Sequence, residues 1–354
     1  MSGGHPDPAL WAGRRVLLTG HTGFKGAWAA LWLERLGARV TGLALPAEEL
    51  SLYTLAQVGR SLESHVADLR DPAAVERVVQ AADPEIVLHL AAQPIVRRSL
   101  AEPVETFATN VMGTVHLLDS LRRARGLRAL LVVTSDKVYA NAEDGRAFAE
   151  TDRLGGKDPY SASKAACEIA VQAMAQSFLA RNGVRVATAR GGNVVGGGDF
   201  AEDRLVPDAV RAVRAGRALV LRHPEATRPW QHVLDCLAGY FAMAEALLAG
   251  TDLPPALNFG PLPGTDVTVG ALARSILKAL GGDGDYVHQP VPGSVEMTAL
   301  AIDSALARRV LGWHDRLAGE RLAKATADWY RAWIEGADAR ALTLSQIASF
   351  EALP

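Results

Sequence analysis

An apolar run that breaks into a glycine turn and re-emerges as a helix constrains this chain more than any other feature. Arg15-Val16-Leu17-Leu18-Thr19 reads as a short buried strand. It runs into Gly20-His21-Thr22-Gly23-Phe24-Lys25-Gly26, and residues 27–36 follow with helical composition before Gly37, a fitting C-cap. Strand, glycine turn and helix in that order leave backbone N–H groups at a helix N-terminus, where a pyrophosphate can sit. The spacing is GxxGxxG rather than GxGxxG. Lys25 is followed by Gly26 instead of Ser or Thr, so the turn is not a triphosphatase P-loop.

Strand and helix signals then alternate. Residues 39–45 read as a second strand ending at Pro46, with neither an acidic residue nor an arginine at its end, so this position leaves NAD and NADP open. Residues 64–71 read as a strand running into a turn, and Asp71-Pro72 opens a helix to residue 81. A buried strand follows at 85–93, a long helix at 103–125, a continuously apolar strand at 129–134 and a sixth strand at 185–190. This pattern predicts the α/β class: a doubly wound, parallel, Rossmann-type sheet over residues 12–190, with segments near 233–262 returning to it. After Arg190 a glycine-dense loop begins. Helices are expected at 206–215, 233–248, 269–280, 303–311 and 319–334, with short strands at 218–221 and 256–259. Residues 191–335 are therefore expected to form mainly a smaller, mixed C-terminal substrate lobe, and residues 1–11 and 336–354 to be tails.

Composition narrows the function classes. The 354 residues carry 37 basic against 39 acidic side chains without long runs of either sign, which argues against a nucleic-acid surface. Two isolated cysteines argue against a disulfide framework, and nine histidines without metal-ligand spacing argue against a metal site. No apolar stretch is long enough to span a bilayer, so a cytoplasmic protein is expected.

Chemistry concentrates in two places. Tyr160 and Lys164 lie four residues apart, on one face if the stretch is helical. An ammonium beside a phenol favours the phenolate, a base able to take a proton from an alcohol. One strand earlier, the apolar run 129–134 delivers Ser135, Asp136 and Lys137 at its carboxyl end. Arg204 and Arg228 are candidates for a diphosphate, for which guanidinium geometry is suited.

Together, the glycine turn, Asp68-Leu69, His89-Leu90-Ala91-Ala92-Gln93, the Tyr160/Lys164 pair and Arg190-Gly191-Gly192-Asn193 resemble the extended short-chain dehydrogenase/reductase family from about residue 15 to 333. The resemblance implies NAD on Gly20, Thr22, Gly23, Phe24, Lys25 and Gly26, with Asp68 at the adenine. Leu69, Leu90, Ala91, Ala92, Asn110, Tyr160 and Lys164 complete the implied cofactor site. Within the family, Gln93-Pro94-Ile95-Val96-Arg97-Arg98-Ser99, Thr134-Ser135-Asp136-Lys137-Val138-Tyr139 and Arg228-Pro229-Trp230-Gln231-His232-Val233 look most like the CDP-glucose 4,6-dehydratases. That implies CDP-glucose as substrate, with Gln93, Asn193, Arg204 and Arg228 around it.

The implied roles are Tyr160 as base at the C4 hydroxyl, Ser135 beside the C4 oxygen, Asp136 as donor to the departing C6 hydroxyl and Lys137 as acceptor of the C5 proton. Lys164 is expected to lower the Tyr160 pKa and hold the nicotinamide ribose. Trp230 and His232 read equally as site or core residues. Many relatives carry an arginine near residues 290–296, where this chain has none. A homodimer through the helices around Asn110 and Tyr160 is the implied assembly. Another nucleotide-sugar enzyme, such as a 4-epimerase or a dehydratase with a different base, and a non-catalytic dinucleotide sensor remain the alternatives.

Overall fold

The apolar runs that end in glycine or small residues become the strands of one sheet. In the computed structural model, which describes residues 5–262, 267–290 and 299–354, these are β1 (Arg15–Thr19), β2 (Arg39–Ala44), β3 (Glu63–Val66), β4 (Ile86–His89), β5 (Ala129–Val133), β6 (Arg185–Gly191) and β7 (Ala256–Phe259). Their order is β7-β6-β5-β4-β1-β2-β3, and every neighbouring pair is parallel. The register sets Leu17 of β1 between Thr41 of β2 and Val87 of β4.

Successive residues of a strand face opposite layers, and both layers are covered over the middle of the sheet, which is why β1, β4 and β5 are largely apolar, whereas edge strand β3 is mostly polar and exposed. Val16, Leu18, Leu88 and Leu131 join one core with helices α1 (Phe24–Arg35) and, from the far end of the chain, Val233–Ala249. Leu17, Val87, Leu130 and Val132 join the other with α2 (Pro72–Ala82) and α3 (Gly113–Leu121). The direction of winding reverses between β1 and β4, which opens a crevice beyond their carboxyl ends.

The expected helix over 103–125 is broken. Pro103–Phe107 is α-helical, Ala108–Met112 widens into a π-turn and α3 ends at Leu121. At the break, the Asn110 amide engages the Gln93 backbone, and a Cβ on Gly113 would lie 2.8 Å from Leu69 Cβ. At 64–71 the strand gives way after Val66 to a turn in which Asp68 accepts from the Arg70 backbone N–H.

Beyond β6 lies a smaller mixed lobe. Its helices Leu205–Arg214, Val269–Ala279 and Glu320–Ile334 surround short strand pairs: Asn193–Val195 with Trp230–His232, Leu219–Leu221 with Tyr286–His288, and Thr227–Arg228 with Val267–Thr268. Helix Val233–Ala249 and β7 then return to the sheet.

The expected tails are corrected by the structure. Ala339–Glu351 is a helix whose Ala339, Thr343, Ile347 and Phe350 recur at helical spacing and are buried. It docks on α1, where Trp32 Nε1 and Arg35 Nε donate to Glu351 at 2.9 and 2.8 Å. At the other end Trp11 is buried and its Nε1 donates to Glu245 at 2.6 Å.

Candidate active site

Beyond the carboxyl ends of β5 and β6, a cavity of about 340 Å³ opens between the sheet and the lobe. β5 delivers Thr134 and Ser135 to its wall, and the chain turns at once through Asp136–Val138. Ser135 makes that turn: its Oγ accepts from Lys137 N at 3.2 Å and donates to Asp136 Oδ1 at 3.0 Å. Lys137 Nζ lies 3.1 Å from Asp136 Oδ1 and 3.2 Å from Asn193 Oδ1. Asp136 is 1% exposed, and its second oxygen, Oδ2, has no hydrogen-bond partner among the described residues. A buried polar atom without a partner is costly unless a ligand meets it.

Helix α4 (Pro159–Met174) brings Tyr160 to the same wall. Its start is fixed by Asp158, which caps Ser161 N at 2.9 Å, and by Pro159 in the first turn. Burial pushes the Tyr160 phenol up to about 12, and the Asp136 charge acts in the same direction; a hydrogen bond with Ser135 and the charge of Arg204 act against them. Lys164 shares the helix face, but its ammonium donates to the Val133 carbonyl at 3.1 Å. The expected lowering of the phenol pKa by Lys164 is therefore not what this geometry delivers. Burial also lowers the Lys164 pKa, and Lys25 adds to that effect.

The glycine turn fits a dinucleotide. Gly20 has φ +76°, and a Cβ there would lie 2.8 Å from Ala91 N; on Gly26 it would lie 2.0 Å from Gly20 O. The turn thus packs backbone against backbone, and Gly23 caps α1 without a side chain, leaving the first-turn N–H groups to an anion. Thr22 Oγ1 donates to Leu45 O at 3.0 Å, which ties the turn to the end of β2. Phe24 begins α1, and Lys25 lines the cavity with its Nζ 5.9 Å from the Tyr240 ring centre. Ala91 N donates to Thr19 Oγ1 at 3.1 Å, so Leu90, Ala91 and Ala92 run directly beside the turn. Asp68 grips Arg70 through three guanidinium hydrogen bonds, which lower its pKa, and Leu69 packs beneath Gly113.

Two expected contact residues point elsewhere. Gln93 does not line the cavity: its Nε2 donates to Thr106 Oγ1 and its Oε1 accepts from Ile95 N. Asn110 spends its amide on the Gln93 backbone and on Ser163 Oγ, clamping β4 to α4. Both side chains hydrogen-bond to neighbouring groups of the protein.

Arg204 and Arg228 do line the cavity, Arg204 3.6 Å from Asp199 and Arg228 donating to Thr227 O at 2.7 Å. Trp230 lines it too, whereas His232 is fully buried, caps Val233–Ala249 through Leu234 N and is kept neutral by burial, its pKa lowered to about 3. In the region noted for lacking an arginine, residues 291–298 lie outside those described. Among the described residues, no group of three or more His, Cys, Asp or Glu side chains could hold a metal, and no helix is long and apolar enough to cross a membrane.

The sequence reading missed three groups. His21, inside the glycine turn, is fully buried, bonds Ser64 Oγ at 2.7 Å and has its pKa lowered to about 4 by burial. Glu168, four residues beyond Lys164 on the same helix face, pairs with Arg190, and that spacing was a usable signal. Arg97, Asp203 and Arg222 meet at the cavity's mouth, with no local pattern to announce it.

Over 97% of its length the chain is 38% identical to the CDP-glucose 4,6-dehydratase of Salmonella typhimurium, spanning 98% of that protein. It is 32% identical to the dTDP-glucose 4,6-dehydratase of Mycolicibacterium smegmatis over 90% of this chain and 93% of the relative. The UDP-glucose 4-epimerase of Thermus thermophilus, solved in complex with NAD, superposes with a TM-score of 0.76 at 27% identity, over 89% of this chain and 98% of that one. Residues 16–258 match the family described as the NAD dependent epimerase/dehydratase family. With its glycine cradle, its parallel sheet and the cavity at the sheet's carboxyl edge, the chain belongs to that family of NAD-dependent enzymes.

Proposed function

We propose that the substrate of this nucleotide-sugar 4,6-dehydratase is CDP-glucose, converted to CDP-4-keto-6-deoxyglucose. The observation that carries the reading is the convergence of Tyr160, Ser135, Asp136 and Lys137 on one wall of one cavity. The likeness to the Salmonella typhimurium enzyme over nearly the full length of both chains supports the choice of CDP.

When bound, NAD would be held by the glycine turn and Lys164 and would supply the hydride chemistry at C4 and C6. Tyr160 accepts the proton of the C4 hydroxyl, with Ser135 orienting the oxygen. The C4 ketone acidifies the C5 proton, which Lys137 takes while Asp136 protonates the departing C6 hydroxyl, and Lys137 gives that proton back to C5 once C6 has been reduced. These roles need a proton on Asp136 and none on Lys137. The two side chains lie 3.1 Å apart on the cavity wall. Arg204 and Arg228 hold the diphosphate, and Asn193, tied to Lys137, holds the sugar end.

The assembly is a cytoplasmic homodimer. Val104, Phe107 and Met112 beside the π-turn and Ile169 on α4 are exposed apolar side chains, the kind of surface that a second copy covers. Light scattering that returned a monomer would overturn this assembly.

The test of function incubates the purified protein and NAD with CDP-, UDP-, dTDP- and GDP-glucose and follows the 4-keto-6-deoxy product by NMR. CDP-glucose should give the highest kcat/KM. Preference for another nucleotide would overturn the base assignment, and isomerisation without loss of water would replace dehydration with epimerisation.

A further inference from the structure

At the mouth of the cavity one carboxylate oxygen serves two guanidiniums. Asp203 Oδ1 accepts from Arg97 Nη1 at 2.6 Å and from Arg222 Nη1 at 3.1 Å. The three side chains come from different parts of the fold. Arg97 lies on the short helix Val96–Ala101 that follows β4, and Asp203 lies in the loop before Leu205–Arg214. Arg222 follows strand Leu219–Leu221 in the lobe. All three line the cavity that also holds Tyr160, Asp136 and Lys137. The Asp203 backbone lies at φ +58°, in the left-handed region that Asp enters more readily than most side chains.

A guanidinium pair drawn together around a single oxygen has the arrangement in which arginines also meet a phosphate, and a diphosphate brings more oxygens and more charge than a carboxylate. Asp203 is therefore the weaker of two anions that this pair can hold. We propose that Arg97 and Arg222 bind the diphosphate of the nucleotide sugar, and that Asp203 is the internal anion they exchange for it. This rests on the nucleotide-sugar reading above and adds two residues to Arg204 and Arg228. Because Arg97 belongs to the sheet side and Arg222 to the lobe, the exchange makes both halves of the protein contribute to substrate affinity.

The alternative is a brace that ties sheet to lobe. The two differ in sign. If Asp203 competes with substrate, its removal tightens binding while removal of either arginine weakens it; if the three form a brace, all three removals loosen the site together.

The experiment measures binding of CDP by calorimetry to the full chain loaded with NAD, for the parent, Arg97→Gln, Arg222→Gln and Asp203→Asn, with thermal melting to verify folding. Each arginine variant should weaken CDP binding about tenfold and raise KM for the sugar substrate more than it lowers kcat. Asp203→Asn should tighten CDP binding about threefold. Arg97→Lys, which keeps the charge, should recover part of the loss. Parent-like CDP affinity in both arginine variants, or weaker binding by Asp203→Asn, would overturn the proposal. CDP binding is read without turnover, so a protein that dehydrates no nucleotide sugar would sink the functional reading while this measurement still gave its own answer.

Discussion

Arg190 Nη2 donates to Glu168 Oε2 at 2.8 Å, with the two side chains 3% and 0% exposed. Thr134 and Thr188 donate to the same carboxylate, and Arg190 Nη1 reaches the Tyr139 hydroxyl at 2.9 Å. The pair fastens α4, which carries Tyr160 and Lys164, to β6. Removing one member of a buried ion pair strands the other and typically costs about 3–5 kcal/mol. Glu168→Gln should therefore lower unfolding free energy by about 3 kcal/mol in urea titrations, and the Glu168→Gln/Arg190→Gln double variant should lose less than the sum of the singles. Additive losses would show that the two side chains act independently.

Tyr160→Phe removes the phenol oxygen while keeping a ring to fill the same space. The backbone of residue 160 stays anchored by Ser99 Oγ at 3.1 Å. Loss of a positioned acid–base group costs about 10²–10⁴ in rate. Steady-state kinetics should show kcat falling by that factor, with CDP affinity within about threefold of the parent. A variant that turned over at a tenth of the parent rate or faster would remove Tyr160 from the C4 step.

Lys137→Met keeps a side chain of similar length without the ammonium. Oxidation at C4 should survive and elimination should stop. With substrate stoichiometric to enzyme in D₂O, NMR should find the 4-keto nucleotide sugar with its C5 proton unexchanged and no 6-deoxy product. Product formation at the parent rate would exclude Lys137 as the acceptor of that proton.

Glu245 makes stability depend on pH. Burial pushes its carboxyl up to about 7, although Trp11 Nε1 and Asp7 N donate to it. Since the folded value lies above the ordinary carboxylate value of about 4.5, the group's contribution is fully present below pH 4.5 and is lost as pH rises through 7. Glu245→Gln stays neutral and should flatten the fall in melting temperature between pH 5 and 7. Part of the slope should remain, because burial also raises Asp235 to about 7. An unchanged slope would contradict this account.

The elements that form locally were legible in the sequence. β1, the glycine turn and α1 follow from an apolar run and glycine spacing within two dozen residues, and Ser135, Asp136 and Lys137 follow from where an apolar strand stops. Gln93 and Asn110 read as ligand contacts from sequence because the same polar types serve a ligand or a backbone clamp, and only the partner decides which. The π-turn at Ala108–Met112 has helical composition, so nothing local separates it from an α-helix. The docking of Ala339–Glu351 on Trp32 and the meeting of Arg97, Asp203 and Arg222 join residues far apart in sequence, and their local surroundings are ordinary.

The return of Val233–Ala249 and β7 to the sheet has a mechanical consequence. The chain leaves for the lobe after Gly191, comes back at Val233, leaves again after Phe259 and comes back near Ala301, where Ala301–Ile302 pairs with Ala147–Phe148. With the further passage through lobe helix Glu320–Ile334 and the return to α1 at Ala339–Glu351, a body held by six such crossings has no single hinge about which to swing. Admission to the cavity then falls to the side chains at its mouth, which rotate in picoseconds to nanoseconds, rather than to a domain motion of microseconds to milliseconds.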